Sequence, residues 1–194
     1  MQLTTLCVID VNEPSLSVSH NSIHASWQLD SKKCPSITTN FTWDVTCKET
    51  GSTSSLKGSC TENSCEFSNL KFFTEFTCEF VAAYEKKPFH TTTKTTKTWP
   101  GKPTLKGSKI TATTMNHNTI KVTCEIGKWN GDKGVFNAEL YIDNIHTGKE
   151  KTNEQCAFTF DDLYYLTEYE VKVYARNRNG NKSGPYTDRC SIKC

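Results

Sequence analysis

The sequence offers no place for catalysis to start. It holds no Gly-rich phosphate loop, no Gly-x-Ser-x-Gly elbow, no His-Glu-x-x-His pair, and no His-Cys followed by five residues and an Arg. Those absences remove nucleotide-dependent transferases, serine hydrolases, zinc peptidases and cysteine phosphatases, because each chemistry needs its residues at that spacing. The five histidines, His20, His24, His90, His117 and His146, are scattered, and no Cys/His cluster has metal-ligand spacing. No catalytic residue, metal site or cofactor is expected. No run of 18 apolar residues is present, so no bilayer-spanning helix is expected either. Charge of one sign is also missing. With 23 basic and 21 acidic residues the net charge is +2, too little to hold a nucleic acid or an anionic membrane surface. The one carboxylate pair, Asp161-Asp162, falls at a turn, where acidic residues are ordinary.

What the chain does have is cysteine, 10 in 194 residues. Without metal-ligand spacing these read as disulfides, and disulfides imply an oxidising compartment. No secretory leader opens the chain, so it reads as a piece of a longer extracellular protein.

The second feature is a repeat. From Tyr169 the residues Val171, Val173 and Ala175 alternate with Glu170, Lys172, Tyr174 and Arg176. A period of two gives a strand with one buried and one wet face. Leu163 lies six residues before Tyr169, and Asn177 and Gly180 follow. That spacing marks a tyrosine corner, in which the Tyr hydroxyl bonds back to upstream backbone. Upstream, Leu70, Thr74, Glu75, Phe76, Cys78, Phe80 and Ala82 match Leu163, Thr167, Glu168, Tyr169, Val171, Val173 and Ala175 without a gap. Phe76 replaces the tyrosine, so the first copy lacks the hydroxyl. A repeat of roughly 90–100 residues means tandem domains, because solenoid units are shorter. The domains are placed at residues 1–98 and 104–194. Trp99-Pro100-Gly101-Lys102-Pro103, with two prolines, is the linker, and it reads as a short, stiff joint.

Each domain has strand patterns in the same order. A first strand surrounds Leu6 to Ile9, and Pro14 suits an edge or bulge. Ile23, Ala25 and Trp27 alternate inward, which leaves His24 on the outer face. Ile120, Val122 and Cys124 match them, so Cys124 stands where the first domain has Trp27. Phe41 to Cys47 and Phe136 to Ile142 are the next strands, and Gly51 to Ser64 reads as hairpin and loop. Cys65 to Phe67 and Cys156 to Phe160 are short strands. Six of the eight residues 91–98 are threonine, which reads as a strand in preference to a mucin-like glycosylated patch. Asn40-Phe41-Thr42 and Asn181-Lys182-Ser183 are glycosylation acceptors on Asn40 and Asn181.

Taken together, Leu-x5-Tyr-x-Val-x-Val-x-Ala-x-Asn-x2-Gly and its second copy resemble the fibronectin type III family. Cysteines are unusual there, and two extracellular families combine the two. Cytokine receptors carry a Trp-Ser-x-Trp-Ser box near the last strand, but the residues from Asn179 to Tyr186 include no tryptophan. The fibronectin domains of leukocyte common antigen-type receptor tyrosine phosphatases are the better match, in three blocks. Trp27, Cys34 and Asn40-Phe41-Thr42-Trp43-Asp44-Val45-Thr46-Cys47 form the first. Glu75-Phe76-Thr77-Cys78 leading to Trp99-Pro100-Gly101-Lys102-Pro103 forms the second. Val122-Thr123-Cys124 with Gln155-Cys156-Ala157-Phe158, ahead of Asp162-Leu163-Tyr164-Tyr165, forms the third. This resemblance implies the extracellular part of a single-pass plasma membrane glycoprotein of blood cells. Its phosphatase domains would lie beyond this fragment, and its partners would be cell-surface proteins or lectins. A monomer is expected, with no nucleic acid and no direct membrane contact.

The expected fold is all-β: two tandem, disulfide-stabilised fibronectin type III-like sandwiches of seven strands each, with no helix beyond a single turn. Cys124 and Cys156 are expected to bond, since they lie on neighbouring strands and both point inward by parity. Their loop of about 30 residues is worth roughly 3–4 kcal/mol, and the bond is expected to replace the missing tryptophan as an anchor. Cys60 is expected to pair with Cys65. Cys7, Cys34, Cys47 and Cys78 form two further bonds of open connectivity, with Cys78 in the core. Cys190 and Cys194 either bridge or leave Cys194 unpaired. Trp27, Phe76, Leu163 and Tyr169 are the expected core anchors. Trp129 is either an exposed ligand-contacting aromatic of a cytokine-receptor-like module or is packed on the linker or Pro185, the preferred outcome.

Overall fold

A computed structural model describes residues 10–30, 41–115 and 118–193. The chain divides into two compact units, Met1–Trp99 and Pro100–Cys194. The first holds β1 (Asp10–Val11), β2 (Ser15–Val18), β3 (Ile23–Ser26), β4 (Leu29–Asp30), β5 (Phe41–Glu49), β6 (Ser55–Leu56), β7 (Ser59–Cys60), β8 (Ser64–Phe67), β9 (Glu75–Tyr84) and β10 (Lys87–Lys97). One sheet runs β2-β3-β8-β7 and the other β10-β9-β5-β6, with β1 paired to β4. The first-strand residues Leu6 to Ile9 lie outside the described residues.

Alternation decides which faces meet. Ile23, Ala25 and Trp27 come from β3 and its end, Cys65 and Phe67 from β8, Val45 and Cys47 from β5, and Phe76, Cys78 and Phe80 from β9, and all are buried in one cluster. His24, one residue out of phase, is exposed. Each fully buried phenylalanine in this cluster contributes about 2–3 kcal/mol of transfer free energy. The threonine-rich stretch forms most of β10, where β-branched side chains fit the pleated surface. The first unit's ten strands exceed the expected seven, because the short β6 and β7 join the two sheets and β1 pairs with β4 outside them. Cys60 and Cys65 face each other across β7 and β8 and hold that hairpin in register.

The second unit holds β11 (Thr104–Leu105), β12 (Thr111–Thr114), β13 (Ile120–Thr123), β14 (Ile126–Lys128), β15 (Val135–Ile142), β16 (Ile145–Asn153), β17 (Ala157–Phe160), β18 (Glu168–Arg176) and β19 (Lys182–Ser191). Its sheets run β12-β13-β17 and β16-β15-β18-β19, and β11 pairs with β14. The only helical piece among the described residues is a single turn at Lys106–Ser108. The core is Ile120 and Val122 against Phe136, Ala138 and Leu140, closed by Phe158, Phe160, Tyr169, Val171 and Val173. At the edge strand β16, Lys149 and Lys151 reach across to donate to the carbonyls of Asp161 and Thr159 at 2.8 and 2.6 Å. Lysines on an edge also discourage pairing with a foreign strand.

The sequence repeat extends to the backbone. In both units the corner before the long strand has positive φ at the same two places: Asn69 and Phe73 at 59° and 51°, Asp162 and Leu166 at 56° and 54°. The last strands leave by equivalent bonds, Thr98 N–H to the Thr74 carbonyl and Ile192 N–H to the Thr167 carbonyl, each at 3.0 Å.

Candidate functional site: corners, cross-links and surface asparagines

Tyr169 is buried on β18, where Val171 and Val173 continue its inward face. Its hydroxyl oxygen accepts the Tyr164 amide at 2.9 Å, across the corner that Leu163 packs from below. The corner is therefore tied by a side chain where the backbone turns too sharply to pair with itself. Tyr169→Phe should cost about 1 kcal/mol, the usual price of one part-buried hydrogen bond, and urea unfolding of the chain reads it.

The first unit solves the same problem with a different residue. Phe76 is buried but has no hydroxyl. Thr98, at the place of Ile192, is buried; its Oγ1 accepts the Thr74 amide at 3.0 Å and donates to the Lys71 carbonyl at 2.7 Å. Lys71 is the counterpart of Tyr164, so both corners are pinned at one residue, through its amide in one unit and its carbonyl in the other. Thr98→Val keeps the volume and should cost about 1–3 kcal/mol, because two part-buried groups lose their partner. A Thr98→Val chain as stable as the parent would remove the hydroxyl from this role.

Three cross-links join the strands. Cys47 and Cys78 are bonded, face each other across β5 and β9, and are fully buried. Cys60 is bonded to Cys65, and Cys124 to Cys156 with a sequence separation of 32. Cys124 is the residue after β13 and Cys156 the residue before β17, with the Cys124 amide donating to the Cys156 carbonyl at 3.1 Å. Cys124 is only half-buried. The bond thus clamps the end of a strand pair and does not fill the volume of an indole, contrary to its expected role as anchor in place of a tryptophan. Trp129 does that work from the loop after β14. It packs half-buried against the core, with its ring 5.1 Å from Phe136. Trp27 in the first unit is buried against Trp43 and Phe80, and its indole N–H donates to the Glu62 carbonyl.

Cys7, Cys34 and Cys194 lie outside the described residues. Cys190 has no disulfide partner among the described residues and is half-buried opposite Tyr169. Burial first, then Asp188 and Glu168, push its thiol up to about 11.

Asn177, the polar residue of the corner motif, continues the inward phase just past β18. It is buried, and its Nδ2 donates to the carbonyls of Gly101 and Trp129 at 2.9 and 3.2 Å while its Oδ1 accepts the Asn181 amide. The signal was the parity itself, since a residue two past Ala175 must face the core. The supposed linker is divided between the units. Trp99 donates its amide to Ser19 in the first, while Gly101 donates to Asn130, and Pro100 and Lys102 accept from Asn181 and Asn130 in the second. Asn40 lies outside the described residues. Asn181 is half-buried, with Nδ2 donating to Pro100 at 3.3 Å; a glycan there would leave one N–H for that bond.

Among the described residues no three His, Cys, Asp or Glu side chains form a metal-binding group, and no helix is long and apolar enough to cross a membrane. No protein-family model matches the chain, and no curated protein matches it. Solved structures do. Domains d3–d4 of the rat CD45 extracellular region are similar over 74% of this chain and 78% of that one, at 26% identity and a TM-score of 0.58. The FN1–FN3 domains of chicken CNTN1 match over 95% of this chain and 65% of that one, at 14% identity and a TM-score of 0.55, a likeness of fold alone. The chain is all-β, built of fibronectin type III-like sandwiches, and it resembles the fibronectin ectodomain of CD45, the leukocyte common antigen.

Proposed function

We propose that this chain is a non-catalytic segment of the ectodomain of a leukocyte receptor-type protein tyrosine phosphatase, acting as a glycosylated, semi-rigid spacer. The similarity to rat CD45 d3–d4 carries the reading. Two features support it. Each sandwich is cross-linked on top of its own core, as an extracellular domain of modest size requires. The residues on either side of the Trp99–Pro100 bond are each hydrogen-bonded to their own unit. A stiff spacer sets the height of the receptor above its membrane and keeps a bulky ectodomain out of close cell contacts. Single-pass anchoring, glycans on Asn40 and Asn181, and cell-surface protein or lectin partners belong to this proposal. The cytokine-receptor alternative needed an exposed Trp129, which is half-buried on Phe136.

Small-angle scattering on the isolated chain tests the spacer role. Two compact domains end to end should span on the order of 60–70 Å. A maximum dimension of about 45 Å or less would mean a folded-over pair and would sink it.

A further inference from the structure

The three cross-links differ in how open they are to a thiol in solution. Cys47 and Cys78 are fully buried, and Cys156 is 8% exposed behind a half-buried Cys124. Cys60 is exposed, while its partner Cys65 is 1% exposed. Position in the fold explains the difference. β7 is the last strand of its sheet, and it meets β8 through only two pairs, Ser59 with Glu66 and Cys60 with Cys65. The Cys60–Cys65 bond spans a sequence separation of 5, against 31 and 32 for the other two. A short loop removes the least freedom from the unfolded chain, so of the three this bond adds least to the fold as a whole.

What the bond does hold is a strap over the first core. Residues 61–63 link the two cysteines' strands, and their carbonyls are the partners of Trp27. The Trp27 amide donates to the Asn63 carbonyl at 3.1 Å, and its indole N–H donates to the Glu62 carbonyl at 3.2 Å. On the other side of Cys60, a Cβ at Gly58 would stand 2.9 Å from the Phe67 ring, so the chain there lies directly on that side chain. The strap closes on itself through the Thr61 amide and the Ser64 carbonyl, at 2.7 Å. Trp27 and Phe67 are both buried beneath it.

We propose that Cys60–Cys65 is a thiol–disulfide exchange site, opened by a dithiol, and that its opening frees the strap from Trp27. Access decides which sulfur is attacked, and only Cys60 is accessible. One thiolate of the reductant bonds to the Cys60 Sγ, the Cys60–Cys65 bond breaks, and Cys65 leaves as a thiolate that takes a proton from water. The β7–β8 pairing keeps Cys65 beside the mixed disulfide, at a high effective concentration. Against a monothiol, Cys65 therefore attacks back and restores the bond. A dithiol ends differently. Its second thiolate attacks the reductant's own bonded sulfur, forms the reductant's internal disulfide, and releases Cys60 as a thiolate, which is protonated in turn. Two electrons pass from the dithiol to the protein. The reactant is thus a dithiol, such as a Cys-x-x-Cys pair. Cys47–Cys78 stays closed and keeps the sandwich folded. The site is independent of the spacer role, since it concerns one edge of one sandwich and not the height the chain sets.

The test takes the folded 194-residue chain with its free thiols already blocked. One sample meets dithiothreitol and another meets glutathione at the same thiol concentration; each is then alkylated and mapped by peptide. Dithiothreitol should label Cys60 and Cys65 about tenfold faster than Cys47, Cys78, Cys124 and Cys156, and glutathione should leave the Cys60–Cys65 bond closed. In the opened chain, amide hydrogen exchange at Trp27 and residues 59–66 should quicken about tenfold, with β5 and β9 unchanged. Cys60→Ala with Cys65→Ala should show the same fast exchange without any reductant; if that variant does not fold, the labelled parent chain still decides. Labelling of Cys60 only together with Cys47 and Cys78 overturns the proposal, because the bond would then open only on unfolding. Opening by glutathione as complete as by dithiothreitol overturns the need for a dithiol. Unchanged exchange at Trp27 after opening overturns the strap.

Discussion

Replacing Cys47 and Cys78 together by alanine is expected to lower the stability of the first sandwich by about 3–5 kcal/mol. The bond closes a sequence separation of 31, and both residues are fully buried where β5 and β9 face each other. Two contributions act. Without the cross-link the unfolded chain regains the freedom of the closed loop. The alanines also leave space beside Phe80 and Val45 in the same cluster, and a cavity costs more than the transfer energy alone. A domain of this size has about 5–15 kcal/mol in all, so the variant should unfold at markedly lower urea. Amide exchange in β5 and β9 reads the loss locally. A change under about 1 kcal/mol would show that the core holds these strands without the bond.

Gly134→Ala is expected to cost about 3 kcal/mol in the second sandwich, at the upper end of overpacking penalties. A Cβ at Gly134 would overlap the Arg176 carbonyl oxygen and crowd the Asn177 Cα. Relief requires moving the end of β18, and that end carries Asn177, whose side chain ties Gly101 and Trp129 to it. Gly148→Ala is the control. It also adds a methyl group, but into open space, at φ 80°. Its cost should be the backbone strain alone, about 1 kcal/mol. Thermal unfolding of the two variants separates collision from strain. Equal costs would contradict the close approach at Gly134.

Period-two alternation made the sandwiches legible before any coordinates. Tyr169, Val171, Val173 and Ala175 face inward because a strand leaves them no other choice once one face is wet. The same parity predicts that Cys47 and Cys78 point into the core, yet parity cannot say which strands lie side by side. Their pairing depends on the register between β5 and β9, a long-range property that no local pattern encodes. Cys60 and Cys65 were legible for the opposite reason, since five residues suffice for one hairpin. Thr98 was hidden by its neighbours: five other threonines surround it, and only its place opposite Ile192 separates it from the surface hydroxyls. The departure at Cys124 has the same root. A cysteine in a tryptophan's position looks like a substitute, but the missing volume was supplied by Trp129, five residues on in sequence and outside the strand.

The central claim is that each sandwich is a separately stapled extracellular domain, and non-reducing peptide mapping of the secreted chain tests it most directly. The account predicts peptides joining Cys47 to Cys78, Cys60 to Cys65, and Cys124 to Cys156. A peptide linking either of the first two pairs to Cys124 or Cys156, or recovery of Cys47 and Cys124 as free thiols, would contradict it.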